Sequence, residues 1–142
     1  MNILLDTNFL FSALGFDGKS KEILEYLILS NNNVFICDEI YKELIKNISQ
    51  KFSPKVKKDA LIIINYWLEY KAIILIKRFM YERNIILAEK YINKYDAPIL
   101  AASFLPEIDY LITGDKDFLN IKQKVKSKII ILKASEIVNN IN

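Results

Sequence analysis

The chain has 142 residues, 52% of them hydrophobic and 26% charged, proportions that fit one globular domain with a proper core and exclude a disordered segment. It contains no histidine and a single cysteine, Cys37, which rules out a Ser-His-Asp triad, a His-ligated zinc and an internal disulfide. The net charge of +3 permits nucleic-acid contact without arguing for it, and the lysine clusters within 42–58 and 116–128 read on charge alone as solvated faces.

Short β-branched runs alternate with longer helical periodicity, the pattern of βαβ units and a mostly parallel sheet. A first strand is expected over 2–5, where Ile3-Leu4-Leu5 ends at Asp6-Thr7-Asn8, followed by a helix over 8–14. Gly15-Phe16-Asp17-Gly18 makes a turn, and Ser20 is placed to cap a helix over 20–30. A strand over 34–37 ends at Cys37, read as a packed small residue, and Asp38 is placed to cap a helix over 39–48. Ser53-Pro54 opens a helix over 54–70, with proline at a first helical position. Ile62, Ile63 and Ile64 cannot share one stripe of that helix, so it is either buried on two sides or meets a partner. Then come a strand over 72–76, helices over 85–94 and 97–105, a strand over 109–113, a strand over 128–132 and a helix over 134–140. Gly114 is expected to let the backbone bend just past a strand. The apolar run at 72–76 is far short of a membrane span. The first residues lead straight into a strand with no basic segment or cleavage site, so the expectation is a cytoplasmic chain of a single domain, 1–142, without a signal peptide.

Three carboxylates stand where strands end or a helix begins: Asp6, Asp96 and Asp115. Each has an ordinary explanation. Asp6 can cap the first helix, Asp96 the helix starting at Ala97, and Asp115 and Asp117 can be turn residues around Lys116. Their joint occurrence is harder to explain that way, because residues just past the carboxyl ends of parallel strands line the ligand crevice. Carboxylates gathered there repel one another and call for a cation, and without histidine the natural site is an all-oxygen one for Mg²⁺ or Mn²⁺. Thr7, Asn8 and Thr113 supply short polar groups beside two of these carboxylates, suited to orienting them.

The order Asp6-Thr7-Asn8, then Glu43, then Tyr95-Asp96-Ala97-Pro98-Ile99-Leu100-Ala101-Ala102, then Leu111-Ile112-Thr113-Gly114-Asp115-Lys116-Asp117-Phe118-Leu119 resembles a PIN domain over nearly the whole chain. Within that family the chain is similar to VapC-type toxins of type II toxin–antitoxin pairs. The resemblance implies a three-layer α/β/α fold with a five-stranded parallel sheet in the order 3-2-1-4-5. It implies a Mg²⁺- or Mn²⁺-dependent endoribonuclease holding one or two ions, an RNA substrate, an antitoxin partner and a homodimer. It also assigns Asp6, Glu43, Asp96 and Asp115 to the catalytic metal site, with Asp117 as a further ligand and Thr7, Asn8, Thr113 and Lys116 shaping the site or contacting substrate. Glu39, one helical turn before Glu43, competes for its place.

Other readings make different demands. A phosphoacceptor signalling domain would need an aspartate closing the third strand, where Ile76 leads instead into Lys77-Arg78. A PIN nuclease outside any toxin pair, acting in RNA processing or on DNA, would need no adjacent antitoxin gene. An inactive RNA-binding PIN module would not need its full set of carboxylates.

Overall fold

A computed structural model describes residues 1–141, with side chains through residue 137. Five strands, β1 (Asn2–Leu5), β2 (Asn33–Cys37), β3 (Ile74–Ile76), β4 (Tyr110–Ile112) and β5 (Ile130–Leu132), form one sheet in the order β3-β2-β1-β4-β5. Every pairing is parallel. The central strand is covered on both faces, which is why it reads as an unbroken apolar run: Ile3, Leu4 and Leu5 are all fully buried. The chain runs outward from β1 to β2 and β3, then returns to β1's other side with β4, so the strand order reverses between β1 and β4. Leu5 is in register with Ile112. Asp6 and Thr113 therefore leave the sheet side by side, at the topological switch point where open α/β sheets bind ligands.

Helices α1 (Thr7–Gly15), α2 (Lys19–Leu29), α3 (Asp38–Lys51), α4 (Pro54–Glu69), α5 (Arg78–Tyr81), α6 (Ile85–Ala88), α7 (Ala97–Ser103), α8 (Lys116–Asn120) and α9 (Ala134–Ile141) surround the sheet. On α3 the apolar spacing is helical, and Ile40, Leu44 and Ile48 are fully buried while Lys42 and Lys46 face outward. Helix α7 is buried throughout. Its alanines let it sit deep in the molecule, and its one polar residue, Ser103, returns its hydroxyl to the carbonyl of Leu100 at 2.6 Å.

Several expectations need correction. The helix expected over 85–94 shortens to the single turn α6, which follows α5 and a 3-10 turn at Glu82–Asn84, and residues 89–96 form turns. Past Ala88 the chain turns toward Asp96, whose N–H and that of Tyr95 are accepted by Asn93 Oδ1, and upstream Asp38 accepts hydrogen bonds from the Arg78 N–H at 2.7 Å and from the Tyr81 hydroxyl. Asp38 is thus the first residue of α3 and ties that helix to α5, and the cap position belongs to Cys37. Ser20 lies inside α2, whose cap position is Gly18. Gly114 meets nothing within 4 Å of an added Cβ and has no positive φ, so the bend after β4 does not require glycine. Cys37 is fully buried, and burial pushes its thiol up to about 12, as befits a packed residue. On α4, Ala60 and Ile64 face the core and Trp67 packs against it, but Ile62 and Ile63 are 59% and 39% exposed.

Gly15 is a position the fold does constrain. A Cβ there would lie 2.1 Å from Cζ of Phe52, whose ring is stacked on Phe11 with centroids 4.5 Å apart. Gly15→Ala should cost about 1–3 kcal/mol through this overpacking, read from the urea midpoint. In a Phe52→Ala background the same substitution should cost less; simple additivity would show that the ring is not the obstacle.

Candidate metal centre

The site forms where β1, β4, α3 and α7 converge. Asp6 follows β1 and is 4% exposed. Its Oδ1 accepts the Asn8 N–H at 2.9 Å, capping α1, and its Oδ2 accepts the Thr113 hydroxyl. Burial raises its proton affinity most; the Thr113 and Asn8 hydrogen bonds act against that, and the charges of Asp115 and Asp96 add to it. Thr113 in turn accepts the Asp115 N–H at 3.0 Å, so one hydroxyl links the Asp6 carboxylate following β1 to the backbone of Asp115 following β4.

Asp115 caps α8 by accepting the Asp117 N–H at 2.9 Å. Asp96 occupies the cap position of α7 but makes no capping bond with its side chain. Its carboxylate instead accepts from Asn93 Nδ2 at 2.8 Å, and the same amide reaches Asp117 at 3.4 Å. Asn93 Oδ1 meanwhile accepts the N–H groups of Tyr95 and Asp96 at 2.9 and 3.0 Å, fixing the turn that presents Asp96. Asp96, Asp115 and Asp117 each offer a carboxylate oxygen, and these atoms all lie within 4.8 Å of one another. Burial, then the charges of Asp115 and Asp117, raise the proton affinity of Asp96 against the lowering effect of Asn93.

Glu43 projects from α3 toward the same place. Its Oε2 accepts the Thr7 hydroxyl at 2.8 Å, and besides burial it feels the charges of Glu39, Asp6 and Asp96, which raise its proton affinity. Glu39 has no such hydroxyl partner among the described residues. Lys116, the first residue of α8, is exposed at the rim. The structure thus gathers Asp6, Glu43, Asp96, Asp115 and Asp117 into one electrostatically coupled cluster, with Thr7, Asn8 and Thr113 as its internal donors. Asp96, Asp115 and Asp117 are the closest-set oxygens. Among the described residues no lysine or arginine forms an ion pair with any of the five carboxylates. Asn93 escaped the sequence reading. The signal was its position three residues before Asp96, where a short amide can bond the backbone and carboxylate that follow.

Carboxylates brought together without cationic partners at the end of a parallel sheet define a site suited to a hard divalent cation. The chain belongs to the PIN domain family, a family of nucleases, matching it over residues 3–124. No curated protein matches the chain. Among solved structures it is similar to VapBC2 from Rickettsia felis bound to a DNA fragment from its promoter, at 20% identity and a TM-score of 0.65, covering 94% of this chain and 98% of the other. It is also similar to FitAcB from Neisseria gonorrhoeae, at 18% identity and a TM-score of 0.63 over the same shares. At these identities the likeness is one of fold.

Proposed function

We propose that this protein is a Mg²⁺- or Mn²⁺-dependent endoribonuclease and the toxin of a toxin–antitoxin pair. The observation that carries the nuclease reading is the set of carboxylate oxygens of Asp96, Asp115 and Asp117 within 4.8 Å of one another and in no ion pair among the described residues, backed by Asp6 and Glu43. These residues would hold the cation. When bound, it supplies Lewis-acid polarisation of a phosphate and acidification of water. The chain's own groups do the remaining work. Thr113 and Asn8 hold Asp6, Thr7 holds Glu43, and Asn93 holds Asp96, so the acidic groups are oriented before substrate arrives. With no histidine in the chain, a proton leaving water must go to solvent or a carboxylate. The Glu43 oxygen not engaged by Thr7 is suited to receive it, since burial and neighbouring charge raise this group's proton affinity. Lys116 at the rim is placed to meet a substrate phosphate without selecting sequence.

The toxin reading is supported by the resemblance to VapC-type toxins and by the fold shared with the VapBC2 and FitAcB structures. In this reading the chain forms a homodimer and binds an antitoxin. The exposed Ile62 and Ile63 of α4 and Tyr26 and Leu29 of α2 are the apolar surface offered to such partners. An antitoxin arginine would suit the acidic centre, because its fork pairs with carboxylates in place of a metal.

The direct test is cleavage of unstructured RNA by the purified protein with Mg²⁺ or Mn²⁺. EDTA should abolish it, and cleavage that persists in EDTA sinks the metal-site assignment. Glu43→Gln should lower the rate by on the order of 10–100-fold, and Asn93→Ala by a similar factor through misplaced Asp96, whereas Glu39→Gln should be near neutral. A larger loss with Glu39→Gln than with Glu43→Gln would move the glutamate role back one helical turn.

A further inference from the structure

A cleft of about 480 Å³ opens beside the acidic centre, between α1, α2 and the loops that follow β4 and β5. Its wall includes Asn8 and Thr113, the two groups that hold the oxygens of Asp6, so cleft and carboxylates meet along the ends of β1 and β4. The floor is apolar, contributed by Phe9, Ile23 and Ile112. The rim carries two exposed lysines, Lys19 and Lys133. Neither ammonium group forms an ion pair among the described residues, although the Lys133 backbone N–H donates to Glu136 Oε1 at 3.1 Å. The acid two positions before Lys19, Asp17, is taken by Lys21 at 3.1 Å, and Glu136 pairs with Lys122 at 3.5 Å. Ser20 and Ser135 add hydroxyls in the first turns of α2 and α9. Gly114 also lines the cleft, at a backbone conformation and in a space that a larger residue would tolerate, and there its bare backbone leaves room for a ligand to approach.

An apolar floor under unpaired cations suits one chemistry in particular. A base presents a flat face that apolar side chains cover, and the phosphate attached to it needs positive charge. The carboxylates next door repel a bare phosphate, so the positive charge that draws a polyanion toward the centre must stand to one side of it, as these lysines do. We propose that this cleft is the subsite for the unpaired nucleotide adjoining the scissile phosphate, its base over Phe9, Ile23 and Ile112 and its phosphate on Lys19 and Lys133. The proposal rests on the nuclease reading above and adds to it a strand path: the RNA runs from the carboxylates into this cleft.

The test uses a short, end-labelled, single-stranded ribo-oligonucleotide of mixed sequence, with binding read by fluorescence anisotropy across a salt series in EDTA. Lys19→Gln and Lys133→Gln should each weaken binding by roughly three- to tenfold and make the log–log salt dependence shallower by about 0.7 per lysine. Both effects should be uniform across oligonucleotide sequences. Lys55→Gln and Lys58→Gln, on exposed positions of α4, serve as charge-matched controls and should change neither. In cleavage assays the cleft variants should raise KM and leave kcat in place. Unchanged affinity and salt dependence in the Lys19→Gln, Lys133→Gln double variant overturn the subsite, as does a wild-type protein that binds no oligonucleotide. Cleavage is scored separately. A wild type that binds through these lysines yet cuts no RNA with Mg²⁺ or Mn²⁺ overturns the nuclease reading and leaves the cleft as a strand-binding site.

Discussion

Asp115→Asn and Asp6→Asn should each abolish metal-dependent RNA cleavage, by on the order of 100-fold or more, while the folded protein without metal stays at least as stable as wild type. The two effects have a single electrostatic origin. Asp6 and Asp115 repel each other, and both repel Asp96. Neutralising one removes a negative charge that a cation needs and that the empty site is better without. The fold has no separate need for the charge. An asparagine at 115 can still accept the Asp117 N–H that caps α8, and one at 6 can still accept the Asn8 N–H through its single amide oxygen while its NH2 donates to the Thr113 hydroxyl oxygen. Since Asp96 and Asp115 are partly exposed and screened by water, the gain from relieved repulsion in Asp115→Asn should be no more than about 1 kcal/mol, a few degrees in melting temperature at this chain length. Scanning calorimetry in EDTA, with and without added Mn²⁺, reads both sides. Wild type should gain stability from Mn²⁺ and the variants should gain little. A variant that melts well below wild type in EDTA would make the carboxylate structural, and full cleavage by either variant would remove it from the site.

Much of this arrangement was legible in the sequence because the carboxylates sit at element boundaries that the pattern marks. The run Ile3-Leu4-Leu5 ends at Asp6 because a doubly covered strand is apolar until it leaves the sheet. Thr113 and Asp115 stand just past β4 for the same reason. Strand order was different. Nothing in the spacing says that β1 lies beside β4; that came from the resemblance, and the register of Leu5 with Ile112 bears it out.

What the pattern could not carry was the chemistry of contacts between distant segments. Asp96 reads as a cap, yet its carboxylate turns away from its own helix to Asn93. Asp117 reads as a turn residue 21 positions further on, and only the fold brings it to the same amide and the same cluster. Asp38 shows the reverse case. It has the sequence signature of a cap, but the Tyr81 hydroxyl and the Arg78 N–H claim its oxygens, so that it ties α3 to α5 across the fold. Local propensity is a weak prior when a buried polar group finds a partner across the fold.

The stability of the metal-free protein should respond to acid in an unusual direction. Paired carboxylates ordinarily have depressed proton affinities, so acid removes their contribution. Here Asp6, Glu43 and Asp96 are all shifted upward, with burial as the largest cause and mutual repulsion adding to it. The sign follows from linkage. A carboxyl group that binds its proton more tightly folded than unfolded contributes stability that is fully present below its unfolded value, near 3.8 for Asp6 and Asp96 and 4.5 for Glu43. That contribution is lost as pH rises through the raised folded value. From neutrality downward, these three groups should therefore raise the melting temperature in EDTA as each takes up its proton, until the unfolded values are reached and other acid effects take over. A bound divalent cation inverts the trend, because the ion needs the ionised form and competes with the proton. With saturating Mn²⁺ the melting temperature should fall as pH drops through the same window, and the two curves should converge at its acid end. Asp6→Asn should flatten the EDTA curve by removing the most buried of the three groups. Melting curves that run parallel at all pH values with and without Mn²⁺ would mean that these carboxylates do not share their charge with a metal.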